Sequence, residues 1–351
     1  MNIAVLYGGK SSEHEVSLVS AASVLKNLDV KYNVLPIGIN RNGQWFLQDM
    51  YAGKTGVIPD SLDIEENPEN TVCIIPSEGF RTAGGKKINI DAVFPVLHGS
   101  FGEDGTVQGL LEIAGIPYVG SGVLGSSLGM DKDTAKKVWK ASGLPVVPWI
   151  TLKKGSSNLY NTDFAEKVFS RLGPSVFVKP ANAGSSVGVS KADSSSKLLE
   201  AINTAMKFDR KILIEKAVSG REIECAVIGY DKPEAFEPGE IITKDNYEFY
   251  DYTAKYKDPE SAELKVPAEL EKDISRKIKD TALKAYAAVE AGGFARVDFL
   301  VEGEKIYINE INTIPGLTPI SLYPRMAAFS GLNFTGMLDT LIQSALKYPE
   351  N

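Results

Sequence analysis

The sequence predicts an α/β protein built from more than one packed unit, and three observations carry that expectation. At 351 residues the chain has room for two or three domains, at ~150 residues each. It opens on a short apolar run, NIAVLYGG, followed at once by a helical apolar period. Near its end a helical stretch precedes two strand-like runs, FARVDFLV and KIYINEIN, separated by a glycine turn.

Taken in order, the first run is a strand, and Leu18, Ala21, Ala22, Leu25 and Leu28 recur at the spacing of an amphipathic helix. YNVLPIGI and DAVFPVLHG read as further strands, as in an open α/β sheet. Between them GVIPDSLDIEENPEN reads as a polar surface loop. TAKKVWKASG is helical and LPVVPWITL follows it. SVFVKPANAGSSVGVSKA reads as strand, loop, strand, and ILIEKAVSG and REIECAVIGY as strands. DNYEFYDYTAKYKDPESAELKVP has no clean period and reads as a long functional loop over 245–267. A helix over Leu270 to Ala291 precedes the strand pair, and a last helix carries Phe334, Leu338, Leu341, Ile342 and Ala345 on one face.

Composition excludes several classes. Apolar residues make up 43% and charged residues 24%, ordinary for a globular chain. The 45 acidic residues outweigh the 38 basic ones, which argues against nucleic acid as a partner. Two cysteines, Cys73 and Cys225, form no CxxC pair or disulfide framework, so a reducing, cytoplasmic setting is expected. No apolar run approaches the ~20 residues of a membrane span, so no membrane partner is expected.

Ala4 to Ser11 satisfies a permissive P-loop pattern, but Ala4 to Tyr7 are the strand itself. Only Gly8 and Gly9 remain for the turn, too little backbone to wrap a phosphate. The stretch reads instead as a glycine turn opening a helix near Ser12 to Glu15. Glu13 then lies at the strand's C-terminal edge, where open α/β sheets bind ligands; Glu13 and Glu15 would equally serve as complements to the helix dipole.

A better phosphate site lies downstream. Lys179 ends a strand, and Gly184 to Gly188 form a small-residue loop whose N–H groups could meet polyphosphate oxygens. A plain flexible turn is the alternative. The richest pattern is ARVDFLVEGEKIYINEINTIPG. Residues two apart on a strand share a face, so Arg296 points with Asp298, and Glu310 with Asn312. A turn at Gly303–Glu304 sets Asp298 opposite or diagonal to Glu310. Two carboxylates and an amide oxygen suit Mg²⁺ carried by a nucleotide; ion pairing of Arg296 across the strands is the simpler alternative.

GGKSSEHEVS, FPVLHGSFGEDGTVQGLLEIAGIPYVGSG, MDKDTAKK, KPANAGSSVGVS, LIEKAVSGREI, FYDYTAKY and YINEINTIPGLTPISLYP together resemble the D-alanine–D-alanine ligase family of ATP-grasp enzymes over nearly the whole chain. The resemblance implies a three-domain ATP-grasp fold: an N-terminal open α/β domain over 1–98 and two α+β domains, 99–214 and 215–351, clamping ATP. It implies that Lys132 and Lys179 hold ATP phosphates and that Glu215, Lys216 and Val218 line the adenine pocket. Glu222 would take the ribose hydroxyls, and Lys255 would reach the γ-phosphate side. Asp298, Glu310 and Asn312 would ligate two Mg²⁺, or Mn²⁺ in their place. Glu13 would bind the ammonium of the first D-alanine, linked through Ser185 to Tyr256, with His98 nearby. Arg296 and the Gly316 N–H would form the oxyanion site, and Ser321 and Leu322 would receive the carboxylate of the second D-alanine.

The implied reaction is ATP-dependent joining of two D-alanines through an acyl phosphate, for peptidoglycan precursors, by a homodimer. Tyr256 goes with amino-acid acceptors, leaving a D-alanine–D-serine ligase as an alternative beside other ATP-grasp carboxylate–amine ligases. Ala183 stands where the family can carry an acidic residue, and Ile320 where it sometimes carries histidine. A catalytically silent regulator is disfavoured by the intact Asp298, Glu310, Asn312, Lys132 and Lys179. An NAD-dependent dehydrogenase fails because GGKSSE is not G-x-G-x-x-G.

Overall fold

The computed structural model describes residues 1–54, 57–155, 160–243 and 262–347. Strand β1 (Asn2–Gly8) leads into helix α1 (His14–Asn27), β2 (Asn33–Ile39) and β3 (Trp45–Leu47). A small antiparallel sheet of β4 (Val72–Ile75), β5 (Gly79–Thr82) and β6 (Lys87–Ile88) intervenes before β7 (Ala92–Val96). The main N-terminal sheet runs β3-β2-β1-β7, with β1 parallel to both β2 and β7. Ile3 through Tyr7 are buried on both faces, which is why a central parallel strand reads as an unbroken apolar run.

The polar excursion between β3 and β4 is a loop, but not a free surface one. Leu62 is fully buried, and the Tyr7 hydroxyl donates to the Asp63 carbonyl at 2.9 Å. A Cβ on Gly38 would lie 2.9 Å from Ile64, so glycine lets the loop lie flat on the sheet. Two apolar side chains in an acidic stretch thus strap it down, a signal its composition hides.

Helix α2 (Thr106–Ala114) adds Val107 and Leu111 to the core of the first sheet. Then come α3 (Val123–Met130) and α4 (Lys132–Ala141), the latter capped by Asp131, whose carboxylate accepts from Thr134 N–H. The second sheet holds β8 (Trp149–Lys153), β9 (Val176–Pro180), β10 (Ser190–Ala192) and β11 (Lys211–Lys216) in the order β10-β9-β11-β8. Helices α5 (Thr162–Leu172) and α6 (Ser195–Ala205) cover one face with Ala165, Val168, Leu198 and Ile202.

The third sheet contains β12 (Arg221–Ile228), β13 (Glu234–Ala235), β14 (Gly239–Thr243), β15 (Ala262–Lys265), β16 (Phe294–Glu302) and β17 (Lys305–Asn312). Its order is β15-β14-β12-β16-β17, with β13 on β12. Helix α7 (Lys272–Ala288) packs beneath it. The segment expected as a loop over 245–267 therefore ends in a strand, β15, paired with β14, where Ala262–Lys265 find backbone partners; residues 244–261 lie outside the described residues. Helices α8 (Leu322–Phe329) and α9 (Phe334–Lys347) return to the N-terminal sheet. Phe94, Phe294 and Tyr323 stack edge to face at 6.2 and 5.7 Å, joining the N-terminal and C-terminal layers in one core.

Candidate active site

The turn after β1 holds no phosphate cradle. Gly8 and Gly9 have φ of 87° and 96°, a region that favours glycine. Their N–H groups are already used, Gly8 toward Ser17 Oγ at 2.8 Å and Gly9 toward the Ile39 carbonyl at 2.7 Å. Lys10 lies over the Phe101 ring. The turn serves to start α1 one residue after Glu13, whose side chain makes no capping bond and faces elsewhere.

Glu13 faces Ser185, whose hydroxyl donates to its carboxylate. Two glycines make that approach possible. A Cβ on Gly99 would lie 2.6 Å, and one on Gly184 2.4 Å, from Glu13 Oε2. Ser185 and Ser186 themselves adopt left-handed backbone, φ 48° and 58°. Such conformations in non-glycine residues persist where the surroundings impose them, often at ligand sites. The loop's own turns consume the Val187 and Val189 N–H groups, so it offers fewer donors than its composition implies.

His98 lies beneath this carboxylate. Burial holds its imidazole below its ordinary pKa, against the pull of Glu13. Its Nδ1 lies 3.1 Å from the Ile314 carbonyl and its Nε2 3.1 Å from Ser20 Oγ. A carbonyl can only accept, so the neutral ring donates from Nδ1 and accepts the serine hydroxyl at Nε2. The same Ile314 residue donates its N–H to Glu103 Oε1 at 3.0 Å, while Gly99 N–H reaches Glu103 Oε2 at 2.8 Å. His98 and Glu103 together clip the turn that leads to Gly316.

The Glu103 carboxyl is pushed up to about 7, first by burial and then by the Glu13 charge, against its two N–H donors and Lys132. Its ordinary value is 4.5, so between these limits the folded chain binds more protons than the unfolded one. That contribution to stability is complete below about pH 4.5 and is lost as pH rises through about 7. The span is worth about 3 kcal/mol. Glu103→Gln removes the dependence: the parent's urea-unfolding free energy is expected to fall relative to the variant's by about 3 kcal/mol as pH rises across that range. A difference independent of pH would contradict the assignment.

Between the second and third sheets lies a cleft of about 670 Å³, within the size range of small-ligand sites. Lys132, Lys179, Ser185, Glu215, Lys216, Val218, Glu222, Asp298 and Glu310 line it, so residues far apart in sequence converge. Lys179 projects from β9 and meets Glu215 Oε2 of β11 at 2.8 Å. Lys132 lies 3.3 Å from Glu310 Oε2 and donates to the Ala183 carbonyl at 2.9 Å. Position 183 thus enters the site through its backbone, and the absence of an acidic side chain there removes no contact of Lys132.

The hairpin pairs Asp298 directly with Glu310, as the two-residue period requires. Arg296 holds Asp298 through two hydrogen bonds of 2.7 and 2.8 Å and lies 3.1 Å from Glu224 on β12. Burial disfavours its charge, but these carboxylates outweigh that and keep the guanidinium's pKa well above its ordinary range. Ion pairing therefore accounts for the Arg296–Asp298 contact, but not for Glu310, which faces Lys132. Asn312 donates its amide to Asp298 at 3.0 Å, leaving its oxygen as the atom able to ligate. Among the described residues no three His, Cys, Asp or Glu side chains form a complete metal cage. Two carboxylates and one amide fit instead a hard cation that brings phosphate and water oxygens with it.

Gly316 approaches Ser321 closely: a Cβ there would lie 2.9 Å from Ser321 Oγ. Ser321 precedes α8 with extended backbone and makes no capping bond; its Oγ instead accepts from Thr318 N–H at 3.1 Å and lies 2.8 Å from Thr318 Oγ1. Leu322 is buried with its side chain in the core, so only its backbone can serve a ligand. Ile320 is exposed and takes no part in that core. Lys255 and Tyr256 lie outside the described residues.

Sequence reasoning missed three residues. Strict alternation turns Asn309 away from Glu310, yet a β-bulge between Asp298 and Phe299 pairings lets both line the cleft. Asn309 Oδ1 accepts from Lys179 at 3.1 Å. Glu103 stands in HGSFGEDG, and its partner Ile314 is 211 positions away, beyond the reach of local spacing. Lys136 was detectable, because it follows Lys132 by four residues on the same helix face.

Comparison with known proteins gives one consistent result. The family model described as D-ala D-ala ligase N-terminus matches residues 2–121, and D-ala D-ala ligase C-terminus matches 138–343. A D-alanine–D-alanine ligase of Caldicellulosiruptor bescii is 46% identical, covering 99% of this chain and 95% of its own. One from Treponema denticola is 43% identical over 99% and 96%. Among solved structures, the D-alanine–D-alanine ligase of Coxiella burnetii aligns with a TM-score of 0.83 at 33% identity, covering 100% of this chain and 96% of its own. The VanG D-Ala:D-Ser ligase of Enterococcus faecalis aligns at 0.83 with 36% identity, over 98% and 99%.

Proposed function

The chain belongs to the D-alanine–D-alanine ligase family, and from that premise we propose that it joins two D-alanines to D-alanyl-D-alanine with ATP as the energy source. The observation that carries the reading is the convergence on one cleft of Lys132, Lys179, Asp298 and Glu310, two cations and two carboxylates suited to a metal-bound triphosphate. Asp298, Glu310 and Asn312 would hold two Mg²⁺, or Mn²⁺, whose chemistry is to offset charge on the β- and γ-phosphates.

The chain's own residues do the rest. Glu215, Lys216 and Val218 receive the adenine, Glu222 the ribose, and Lys132, Lys179 and Lys255 the phosphates. Glu13, supported by Ser185 and Tyr256, holds the first D-alanine by its ammonium, with neutral His98 beneath. The carboxylate oxygen of that D-alanine forms a bond to the γ-phosphorus as the bond to ADP breaks, giving an acyl phosphate. The neutral amine of the second D-alanine, its carboxylate on Ser321 and the Leu322 N–H, then attacks the acyl carbon. Arg296 and the Gly316 N–H meet the oxyanion, phosphate leaves with the bridging oxygen, and the nitrogen loses a proton.

The reading extends to domains at 1–98, 99–214 and 215–351, with α2 lending apolar residues to the first core and β11 running across the last limit. It places the enzyme in the cytoplasm, where peptidoglycan precursors would be made; no helix among the described residues is long and apolar enough to cross a membrane. It also takes a homodimer as the working form, supported by the exposed Leu110, Ile113, Val123 and Leu124 on adjoining helices, and sedimentation equilibrium showing a monomer would remove that part.

The deciding experiment supplies ATP, Mg²⁺ and D-alanine labelled with ¹⁸O in its carboxylate. D-alanine-dependent release of phosphate carrying one label, with dipeptide formed, is expected. Release of AMP, or unlabelled phosphate, would overturn the mechanism. Parallel reactions offering D-serine or D-lactate as acceptor separate the peptide-forming D-alanine–D-serine alternative from an ester former.

A further inference from the structure

Lys136 is a buried cation that the mechanism above does not use. Its side chain is fully buried on α4, and its ammonium lies 3.0 Å from Glu215 Oε1. At that separation the two buried charges are in direct contact. Glu215 Oε2 meets Lys179 at 2.8 Å, and Lys179 also reaches Asn309. Glu215 and Lys179 line the cleft, whereas Lys136 lies behind them. A fully buried ammonium is costly to keep, and Glu215 already has Lys179 as a counter-charge.

A requirement appears when a ligand is considered. Lys179 cannot both neutralise Glu215 and bind a polyphosphate at full strength. If it turns toward phosphate, Glu215 needs another counter-charge or it will take up a proton and lose its shape as an acceptor. We propose that Lys136 is a positioning residue for nucleotide binding, holding the Glu215 carboxylate in place so that Lys179 is free to engage the phosphates. This rests on the reading of the cleft as the ATP site. The triad carries one net positive charge, which a polyphosphate offsets.

The neighbouring charges agree with this role. Burial lowers the Lys136 pKa to about 8, with Lys179 of β9 acting in the same direction and Glu215 of β11 and Glu310 of β17 opposing. Lys132, one turn earlier on α4, is occupied with Glu310 and Ala183. Glu215 is held below its ordinary value: burial raises it, and Lys136 and Lys179 outweigh that. Lys136 is thus charged at neutral pH and discharges within a readily measured range.

The test is calorimetric binding of Mg·ADP to the full chain, together with steady-state kinetics. Lys136→Met should weaken ADP binding and raise the KM for ATP by about tenfold, with kcat at saturating ATP nearly unchanged. Lys136→Arg should restore most of the loss. In the parent, ADP affinity should fall as pH rises through about 8, and the arginine variant should lack that limb. Equal ADP affinity and equal pH dependence in parent and variants, whatever the change in Tm, would overturn the proposal as a mere structural ion pair. If Lys136→Met does not fold, the parent and arginine profiles decide alone. Failure of the parent to bind ADP at all would instead overturn the nucleotide-site reading.

Discussion

Arg296→Met is expected to lower kcat by about a hundredfold to a thousandfold, the effect of losing one oxyanion donor, which is the role proposed for it. The same substitution removes the guanidinium shared by Asp298 and Glu224, both largely buried. Breaking such a pair costs about 3–5 kcal/mol of stability, so both Tm and kcat should fall. Arg296→Lys separates the two effects. It restores a charge near the carboxylates but not the planar fork that makes two hydrogen bonds to Asp298. Stability should therefore recover more than kcat. A methionine variant with parental kcat, measured below its melting range, would remove Arg296 from the chemistry.

Glu310→Gln should reduce kcat by about a thousandfold, because an amide keeps the shape but forfeits the charge proposed to hold a divalent cation. Its effect on folding should be small. Glu310 is half-buried, and its loss frees Lys132 without stranding it, since the Ala183 carbonyl remains a partner. The KM for D-alanine should change little, because the amino-acid contacts proposed for Glu13, Ser321 and Leu322 lie on other elements. A glutamine variant needing no more Mg²⁺ than the parent, with kcat within a few-fold, would contradict the role.

Much of this site was legible in the sequence where one rule governs geometry over a short span. The two-residue period of β strands and the Gly303 turn place Asp298 opposite Glu310, and the register agrees. A strand running directly into two glycines leaves too little backbone for a P-loop at Gly8–Gly9, and the hydrogen bonds of those glycines agree. What escaped depends on exceptions or on distant packing. One extra residue at the bulge brings Asn309 beside Glu310, and no pattern in YINEIN announces it. Leu62 is a core residue inside an acidic loop, because the sheet offers it a place that the flanking residues do not suggest. The Glu103 and His98 clip on Ile314 joins residues more than 200 positions apart. Lys136 is a different case: its spacing from Lys132 was visible, but only Glu215, brought in by β11, gives it meaning.

The β16–β17 hairpin is the proposed seat of nucleotide-bound metal. Electron paramagnetic resonance of Mn²⁺ titrated into the protein, with and without ADP, tests it directly. The parent should take up Mn²⁺ in an ADP-dependent manner, and Glu310→Gln and Asp298→Asn, folded and at equal concentration, should leave the ion with free nucleotide. Equal ADP-dependent uptake by all three would place the metal elsewhere and contradict the account.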